Sequence, residues 1–358
     1  MDDGTGMGMA RWRWIIVPLL IGVASRLFST ALIVGVNAVR AVPAPDPFRI
    51  WDGGWYLRIA ATGYHADPAR YGPSGLPQHD YAFYPAWPAM LRAASEPFGS
   101  PSLVGALLAN LLFLLAAVLM WRVFHDRIGP RSASLGVALV AFAPPAFVFS
   151  LPYTESLFLA LAAASLLARR SAWRGPLGAA AMLTRVAGGA LVVAAAVEAV
   201  LARGAERRAA VAAVIGGGAA LVGWVLFVGA ISGDPLAAAT ASSKWVHDGG
   251  VAQVLFAATH PTLRRAAWVV LYALVVAGAM LLWRRDRELA VYSLVALVLP
   301  MLPGGGLPSM PRYALVAFPA FAMLADRLGR RAGLVLLGAF IAGQVLFARW
   351  VVGGSIQP

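Results

Sequence analysis

The 358-residue chain contains no cysteine. Disulfides, thiol nucleophiles and thiolate metal sites are therefore excluded. Charged residues make up 13% of the sequence, whereas a soluble domain carries roughly 25%. Hydrophobic residues make up 60%, and the mean hydropathy is +0.74. Several uninterrupted apolar runs reach the ~20 residues that a helix needs to cross a bilayer. The composition predicts an all-α, polytopic integral membrane protein surrounded by membrane lipids.

Motifs that would identify a nucleotide-binding, hydrolase or metal site are also missing. The sequence has no P-loop, no glycine-rich dinucleotide fingerprint, no GxSxG elbow, and neither HExxH nor DxD. The five histidines are scattered. His79 precedes Asp80 and His247 precedes Asp248, but adjacent residues seldom make a metal site alone. No metal-binding residue is assigned, and a divalent cation is left open as a cofactor.

The net charge of +13 would suggest a nucleic-acid partner in a soluble protein. Here the arginines cluster in short turns between apolar runs, which is the pattern that sets membrane orientation. The clusters are Arg122, Arg127 and Arg131; Arg169, Arg170 and Arg174; Arg203, Arg207 and Arg208; Arg284, Arg285 and Arg287; and Arg327, Arg330 and Arg331. Nucleic acid is therefore not expected as a partner. The predicted topology places the N-terminus inside and loops 40–100, 150–152, 232–262 and 303–311 outside.

The apolar runs predict a single membrane domain over 1–358. The expected spans are 14–39, 101–121, 132–149, 152–168, 209–231, 265–283, 288–302, 311–326 and 332–352. The first is longer than the ~7–15 residues of a signal-peptide core, so it is interpreted as an uncleaved anchor. Segment 175–202 is apolar, yet basic clusters flank both ends. A pair of short helices, broken near Thr184-Arg185 and Gly188-Gly189, would return the chain to the same side. The total is about eleven helical segments.

One polar stretch, 46–88, differs from the rest of the chain. It carries four of the sixteen acidic residues, namely Asp46, Asp52, Asp67 and Asp80. The aromatic residues around them are Phe48, Trp51, Trp55, Tyr56, Tyr64, Tyr71, Tyr81, Phe83, Tyr84 and Trp87. Carboxylates among flat rings and turn-forming residues predict a surface that holds sugar rings and positions a base. The remaining chain would then be the scaffold that presents this loop to a lipid.

The segment from Trp51 to Tyr64 predicts an amphipathic helix. Asp52 and Tyr56 would share one face, and Trp51 and Trp55 another, with the tryptophans in the headgroup layer. Asp52 is either a functional acid or a helix N-cap, and the sequence leaves both open.

Two further stretches combine acids with aromatics. Asp80 precedes Tyr84 and is either a second acid or, as we favour, a turn former. The aromatics there are also consistent with an interfacial belt. Tyr153 and Glu155 lie where an outer helix begins; Glu155 either complements the helix dipole or has a functional role, since an acid beside a bilayer is costly.

Four basic residues lie where the orientation rule does not expect a positive charge, either on the outer side or within a span. Arg185 lies in the expected break, Lys244 in the 232–262 loop, and Arg312 where a span begins on the outer side. An anionic lipid phosphate would explain these positions. Arg26, midway through the first span, also needs a partner.

Five segments together resemble the PIG-V mannosyltransferase family, the membrane family of the second GPI mannosyltransferase and its bacterial relatives. They are WDGGWYLRIAATGY, AFYPAWP, PPAFVFSLPYTESLF, LTRVAGG and PRYALVAFPAF. Their order and spacing match over roughly 15–325. The sequence departs from eukaryotic members at Trp55-Tyr56 and after Arg185, which affects the expected acceptor more than the donor. The alanine- and arginine-rich composition resembles bacterial members.

The resemblance implies a GT-C fold, with many membrane helices and an active-site acid in the first extracytoplasmic loop, at Asp52. It also implies a polyprenyl-phosphate-mannose donor and inversion at the anomeric carbon. The expected acceptor is a glycolipid, glycan or protein outside the bacterial plasma membrane.

From these arguments Asp52 is the expected catalytic base, and Arg312, with Arg185 or Lys244, is expected to bind the donor phosphate. The other expected substrate-binding residues are Trp51, Trp55, Tyr56, Asp80, Tyr84, Tyr153 and Glu155. The alternatives are a transporter or lipid flippase, and a non-catalytic membrane subunit. A transporter would usually show repeats and ionisable residues at the membrane midplane.

Overall fold

A computed structural model describes residues 5–68, 70–71, 75–234, 236–241, 259–260, 262–302 and 309–354. In chain order its helices are α1 (Thr5–Ala38), α2 (Asp52–Thr62), α3 (Ala86–Ser95), α4 (Pro101–Arg127), α5 (Pro130–Ala141), α6 (Glu155–Leu167), α7 (Arg174–Met182), α8 (Gly189–Leu201), α9 (Gly204–Ser232), α10 (Ala237–Thr240), α11 (Leu263–Leu282), α12 (Arg287–Val298), α13 (Met310–Val316) and α14 (Phe318–Val351). Short 3₁₀ turns lie at Asp80–Ala82, Ala146–Ser150, Val186–Gly188 and Leu299–Met301. Strands β1 (Arg70–Tyr71) and β2 (Pro77–Gln78) form one small antiparallel hairpin.

Five helices within the described ranges are long and apolar enough to cross a membrane: α1, α4, α9, α11 and α14. They expose large apolar side chains on their outer faces, including Ile215 and Leu226 of α9. Such exposure is stable in a bilayer because lipid tails are as apolar as the side chains that face them. The predicted all-α polytopic membrane fold is confirmed.

The shorter helices end earlier than the apolar runs predicted. The expected span 132–149 ends as a helix at Ala141, because Pro144 and Pro145 follow and lack the N–H groups that would continue it. The chain then forms the 3₁₀ turn Ala146–Ser150. Pro300 has the same effect after α12, where the expected span 288–302 ends in a 3₁₀ turn.

The final expected pair of spans, 311–326 and 332–352, is interrupted at two points. An additional break lies at Ala317, between α13 and α14. Gly329, with φ 67°, kinks α14 inside the predicted basic turn. Only glycine adopts this left-handed conformation without a steric penalty, so the kink falls where the sequence permits it.

Segment 175–202 contains α7 and α8, with a break between Leu183 and Gly188. A Cβ atom on Gly188 would lie 2.4 Å from the Cα of Met182, so only glycine allows this close approach. The Leu183 carbonyl accepts a hydrogen bond from the Ala86 N–H of α3 at 2.9 Å. A polar group at the break is therefore satisfied by the first residue of α3.

The core of the bundle forms where α4 packs on α5 and α6, α14 on α5 and α11, and α9 on α7 and α8. Residue size matters at these contacts. A Cβ atom on Gly136 of α5 would lie 2.8 Å from Ala322 of α14, and one on Gly278 of α11 would lie 2.5 Å from Ala320. Small residues let the helix backbones approach closely, as is typical of membrane helices.

Arg26 of α1 is 4% exposed and has no carboxylate partner among its described contacts. Its guanidinium donates to the carbonyls of Ala141 (3.1 Å) and Ala146 (3.0 Å) and to the Ser150 hydroxyl (3.1 Å). It also lies 4.3 Å from the centre of the Phe113 ring. The partner expected from the sequence is thus the end of α5 and the 3₁₀ turn that leads to α6.

An ion-pair network joins the ends of several helices. Arg174 is 1% exposed; it lies 2.7 Å from Glu198 and forms a second ion pair with Glu288. Arg127 contacts Glu288 at 2.8 Å and Asp286 at 2.7 Å. Two arginines of the predicted cytoplasmic turns are therefore buried structural residues.

A second charged group, which contains Glu155 and Arg185, lies at the opposite end of the same helices. Glu155 begins α6 and Arg169 follows its last turn, so about 20 Å of helix separates them. Likewise Arg185 precedes α8, and Glu198 lies in the last turn of that helix. The two groups of charges therefore occupy the two ends of the bundle.

This arrangement predicts a topology that can be tested in a cysteine-free background. Ser100 and Ala172 are exposed and lie near opposite ends of the bundle. We expect Ser100→Cys to react with a membrane-impermeant maleimide in intact cells, and Ala172→Cys to react only after permeabilisation. Labelling of both cysteines from one face would contradict the predicted orientation.

Candidate active site

The candidate site begins at a tight turn before α2. The Ile50 carbonyl accepts the Gly53 N–H at 3.0 Å and the Tyr153 hydroxyl at 3.1 Å. Between them, Trp51 has φ 46° and ψ −119°, the one positive φ of a non-glycine residue in the described ranges. This is the conformation of the second residue of a type II′ turn, which glycine favours. Trp51 is held in it at a cost of about 1–3 kcal/mol.

The turn makes Asp52 the first residue of α2. The residue at the N-cap position is Trp51, and the described helix start has no side-chain cap. The N-cap interpretation of Asp52 is therefore wrong in this structure. The Asp52 carboxylate instead forms an ion pair with Arg312, which lies 260 residues further along the chain.

Glu155 lies beside this pair as the first residue of α6, and its side chain is 2% exposed. One of its carboxylate oxygens lies 2.8 Å from Arg185 Nη1 and 3.5 Å from Arg312 Nε. Asp52, Arg312, Glu155 and Arg185 thus alternate in sign, and we call them the charge quartet. Two positive and two negative side chains give a net charge of zero. They lie on α2, α13, α6 and the break before α8, which meet here.

Aromatic rings enclose the charge quartet. The Arg312 guanidinium lies 5.3 Å from the centre of the Tyr153 ring, and that of Arg185 lies 5.9 Å from Phe158. A guanidinium group placed over an aromatic ring in this way is stabilised by a cation–π interaction. Tyr153 therefore has two roles: its ring faces Arg312, and its hydroxyl fixes the turn before Asp52.

Tyr56 lies one helical turn after Asp52. Its hydroxyl is 3.5 Å from Thr154 Oγ1, and its ring meets Phe83 edge-on at 5.1 Å. Burial, with a further contribution from the Asp52 carboxylate, raises the pKa of the Tyr56 hydroxyl. This residue therefore stays protonated at neutral pH and acts as a hydrogen-bond donor, not as a base.

Trp51 and Trp55 occupy different surroundings. Trp55 is 6% exposed and stacks on Phe83 at 5.3 Å between ring centres, so it belongs to the core of the first loop. Trp51 is half-buried against the main core, beside Asp52. The amphipathic helix therefore packs on protein, and the expected headgroup anchoring by both tryptophans is wrong for Trp55.

Asp80 and Tyr84 lie in a second cluster within the first loop. Asp80 begins a 3₁₀ turn and is 1% exposed. Its carboxylate oxygens lie 3.0 Å from His65 Nδ1 and 3.8 Å from Arg58 Nη1. The Tyr84 ring meets Trp224 of α9 at 5.5 Å, and burial raises the pKa of its hydroxyl to about 12. The Asp80 contacts hold the first loop together, and the Tyr84 contact ties it to α9.

Sequence reasoning missed His65 and Arg58 as partners of Asp80. It also missed the hydrogen bond from Tyr153 to the turn at Ile50, 103 residues away. No sequence spacing links these residues, because the chain folds back between them. Lys244, proposed for phosphate binding, falls outside the described residues.

The carboxylates of the charge quartet are not arranged as a metal site. Both already face arginines, whose positive charges balance them. Within the described ranges, no group of three or more histidine, aspartate or glutamate residues is placed to hold a metal ion. The two guanidinium groups are able to make charge-assisted hydrogen bonds to an anion, and each is already engaged by a carboxylate.

The chain resembles two solved membrane enzymes in structure. The Archaeoglobus fulgidus oligosaccharyltransferase, solved with a tethered acceptor peptide, matches 97% of this chain with a TM-score of 0.59 and 14% identity. The same enzyme with an inhibitory peptide and a dolichol-phosphate gives a TM-score of 0.55. ArnT from Cupriavidus metallidurans, bound to undecaprenyl phosphate, matches 92% with a TM-score of 0.54 and 16% identity. The chain thus has the GT-C membrane fold.

This likeness covers only part of each solved chain. The match spans 56% of the oligosaccharyltransferase and 63% of ArnT. No family model matches the sequence, and no curated protein matches it. The PIG-V resemblance therefore stays a prediction from the five segments.

The site geometry makes Tyr153 testable. Tyr153→Phe removes the hydrogen bond to Ile50 but keeps the ring that faces Arg312. We expect thermal stability in detergent to fall by about 0.5–1.5 kcal/mol. Transfer activity should fall further, because the turn that aims Asp52 is released. Tyr272→Phe is the matched control, since it also loses a hydroxyl–carbonyl bond, at 2.5 Å to Leu297. Equal activity losses in the two variants would contradict a positioning role for Tyr153.

Proposed function

We propose that this protein is an inverting glycosyltransferase of the bacterial plasma membrane. It moves mannose from a polyprenyl-phosphate-mannose to a glycolipid, glycan or protein on the extracytoplasmic side. The observation that carries the proposal is the pairing of Asp52 with Arg312. A carboxylate and a guanidinium, with side chains 22% and 16% exposed, meet at one end of the helix bundle. Transfer from a lipid phosphate uses a base for the acceptor hydroxyl and a cation for the departing phosphate.

A side chain of the charge quartet can then be assigned to each step of the proposed transfer. Asp52 accepts the proton of the acceptor hydroxyl as its oxygen attacks the anomeric carbon. The bond between that carbon and the phosphate oxygen breaks, and the oxygen keeps the electron pair. Arg312 and Arg185 stabilise the charge that develops on the departing phosphate. Attack opposite to the leaving group inverts the anomeric centre.

The remaining aromatic residues position these groups. Tyr153 fixes the turn before Asp52, and Tyr56 offers a hydroxyl that stays protonated. Trp51 is half-buried beside Asp52 and is the ring best placed to contact a sugar. Asp80 and Tyr84 support the loop through His65, Arg58 and Trp224.

The solved relatives support the class of donor. One was solved with a dolichol-phosphate and the other with undecaprenyl phosphate, both of which are polyprenyl-type lipid phosphates. Mannose is inferred from the PIG-V resemblance alone. The transporter alternative has less support, because the sequence has one large asymmetric polar loop at 40–100 and no visible internal repeat.

Substitution of Asp52 tests the proposed base. Asp52→Asn keeps the size of the side chain but cannot accept a proton. Transfer from labelled polyprenyl-phosphate-mannose in proteoliposomes should fall at least ~10²–10⁴-fold. Asp46→Asn is the control; its side chain caps the Phe48 N–H at 3.0 Å, which asparagine also does. Normal turnover by Asp52→Asn would contradict its role as the base and make Glu155 or Asp80 the next candidate. Movement of labelled lipid across the bilayer without sugar transfer would instead favour a flippase.

Substitution of Arg312 tests the proposed phosphate contact. Arg312→Ala should lower kcat by ~10²–10³ and raise KM for the lipid donor, because charge develops on the leaving phosphate. Arg49→Ala removes an exposed arginine from the same loop system and should leave kcat unchanged. A thermal melt of each variant separates loss of chemistry from loss of folding. Unchanged kinetics in Arg312→Ala would assign the phosphate to another cation.

A further inference from the structure

The two carboxylates of the charge quartet are not equivalent. Glu155 is 2% exposed and contacts both Arg185 and Arg312. Asp52 is 22% exposed, and Arg312 is its described ion-pair partner. Glu155 is therefore the fixed anion that holds the two arginines in place. Asp52 is the anion that can leave its partner for solvent or substrate at lower cost, because it is already partly hydrated.

The charge quartet also leaves no net positive charge for an incoming anion. Its two arginines are balanced by two carboxylates in a mostly buried setting, where Coulombic interactions are strong. An entering phosphate therefore finds no free guanidinium among these four residues, and it gains one only by displacing a carboxylate from it. Asp52 is the carboxylate placed to yield.

We propose that the lipid phosphate and Asp52 compete for Arg312, so that donor binding itself releases the base. This inference rests on the proposed function and adds a mechanism by which the site is controlled. Without donor, the Asp52 carboxylate is engaged by Arg312. With donor, Arg312 turns to the phosphate, and the freed carboxylate is available to the acceptor hydroxyl.

The same exchange orders the end of the reaction. Asp52 becomes neutral when it takes the acceptor proton, so it no longer competes while the polyprenyl phosphate product still holds Arg312. Loss of that proton to solvent restores the Asp52 carboxylate. Re-formation of the ion pair with Arg312 then displaces the lipid phosphate and returns the site to its starting state.

The test measures binding apart from turnover. The dissociation constant for undecaprenyl phosphate is measured on the full-length protein in nanodiscs, without acceptor. Asp52→Asn should bind this lipid about tenfold more tightly than the natural protein, since the competing charge is gone. Asp46→Asn removes the same charge from the same loop and should change the constant by less than about twofold. Asp52→Ser, which also removes the charge, provides a second variant if the first folds poorly.

A double-mutant cycle assigns the effect to Arg312. In an Arg312→Ala background, Asp52→Asn should no longer tighten binding, because the contested cation is absent. Weaker or unchanged binding by Asp52→Asn would overturn the exchange, as would equal tightening by Asp46→Asn. Failure of the natural protein and of every variant to bind the lipid would instead count against the proposed function.

Discussion

Charge neutralisation inside an apolar bundle is the constraint on which this structure depends. A membrane offers no water to hydrate a buried guanidinium or carboxylate, so each must find a protein partner. The charge quartet solves this at one end of the bundle by bringing together α2, α6, α13 and the break before α8. The Arg174 network solves it at the other end, where α4, α7, α8 and α12 meet. Arg26 reaches the same result with backbone carbonyls.

These contacts also explain why irregular backbone is tolerated so close to the membrane interior. Arg26 donates to the Ala146 carbonyl, where the 3₁₀ turn Ala146–Ser150 begins. The break after α7 leaves the Leu183 carbonyl to the Ala86 N–H. Each irregular segment leads directly to a member of the charge quartet, namely Glu155 and Arg185. The breaks in the helices are therefore what carries the charged side chains to the site.

The fold is shared with solved membrane enzymes at 14–16% identity, so few individual residues are needed to specify it. The fold is specified mostly by the lengths of apolar runs, by the positions of proline and glycine, and by small residues at helix contacts. Many different sequences meet these requirements. The candidate site depends on particular side chains. The turn before Asp52 is formed by Trp51, with its positive φ, and is held by the Tyr153 hydroxyl.

The sequence by itself determined the helical membrane class, because run length and the scarcity of charge decide whether a chain can cross a bilayer. It also singled out Glu155, Arg185 and Arg312, because charged residues beside apolar runs are costly, and Asp52, because it lies in the aromatic-rich polar stretch and matches the loop acid of the PIG-V resemblance. Only the tertiary structure decided how they pair. Asp52 pairs with Arg312, 260 positions away, and Trp55 turns inward to stack on Phe83. Local spacing allows many partners for each residue, and long-range packing selects one of them. The break at Ala317 was likewise seen only in the structure, because no expected turn lay there.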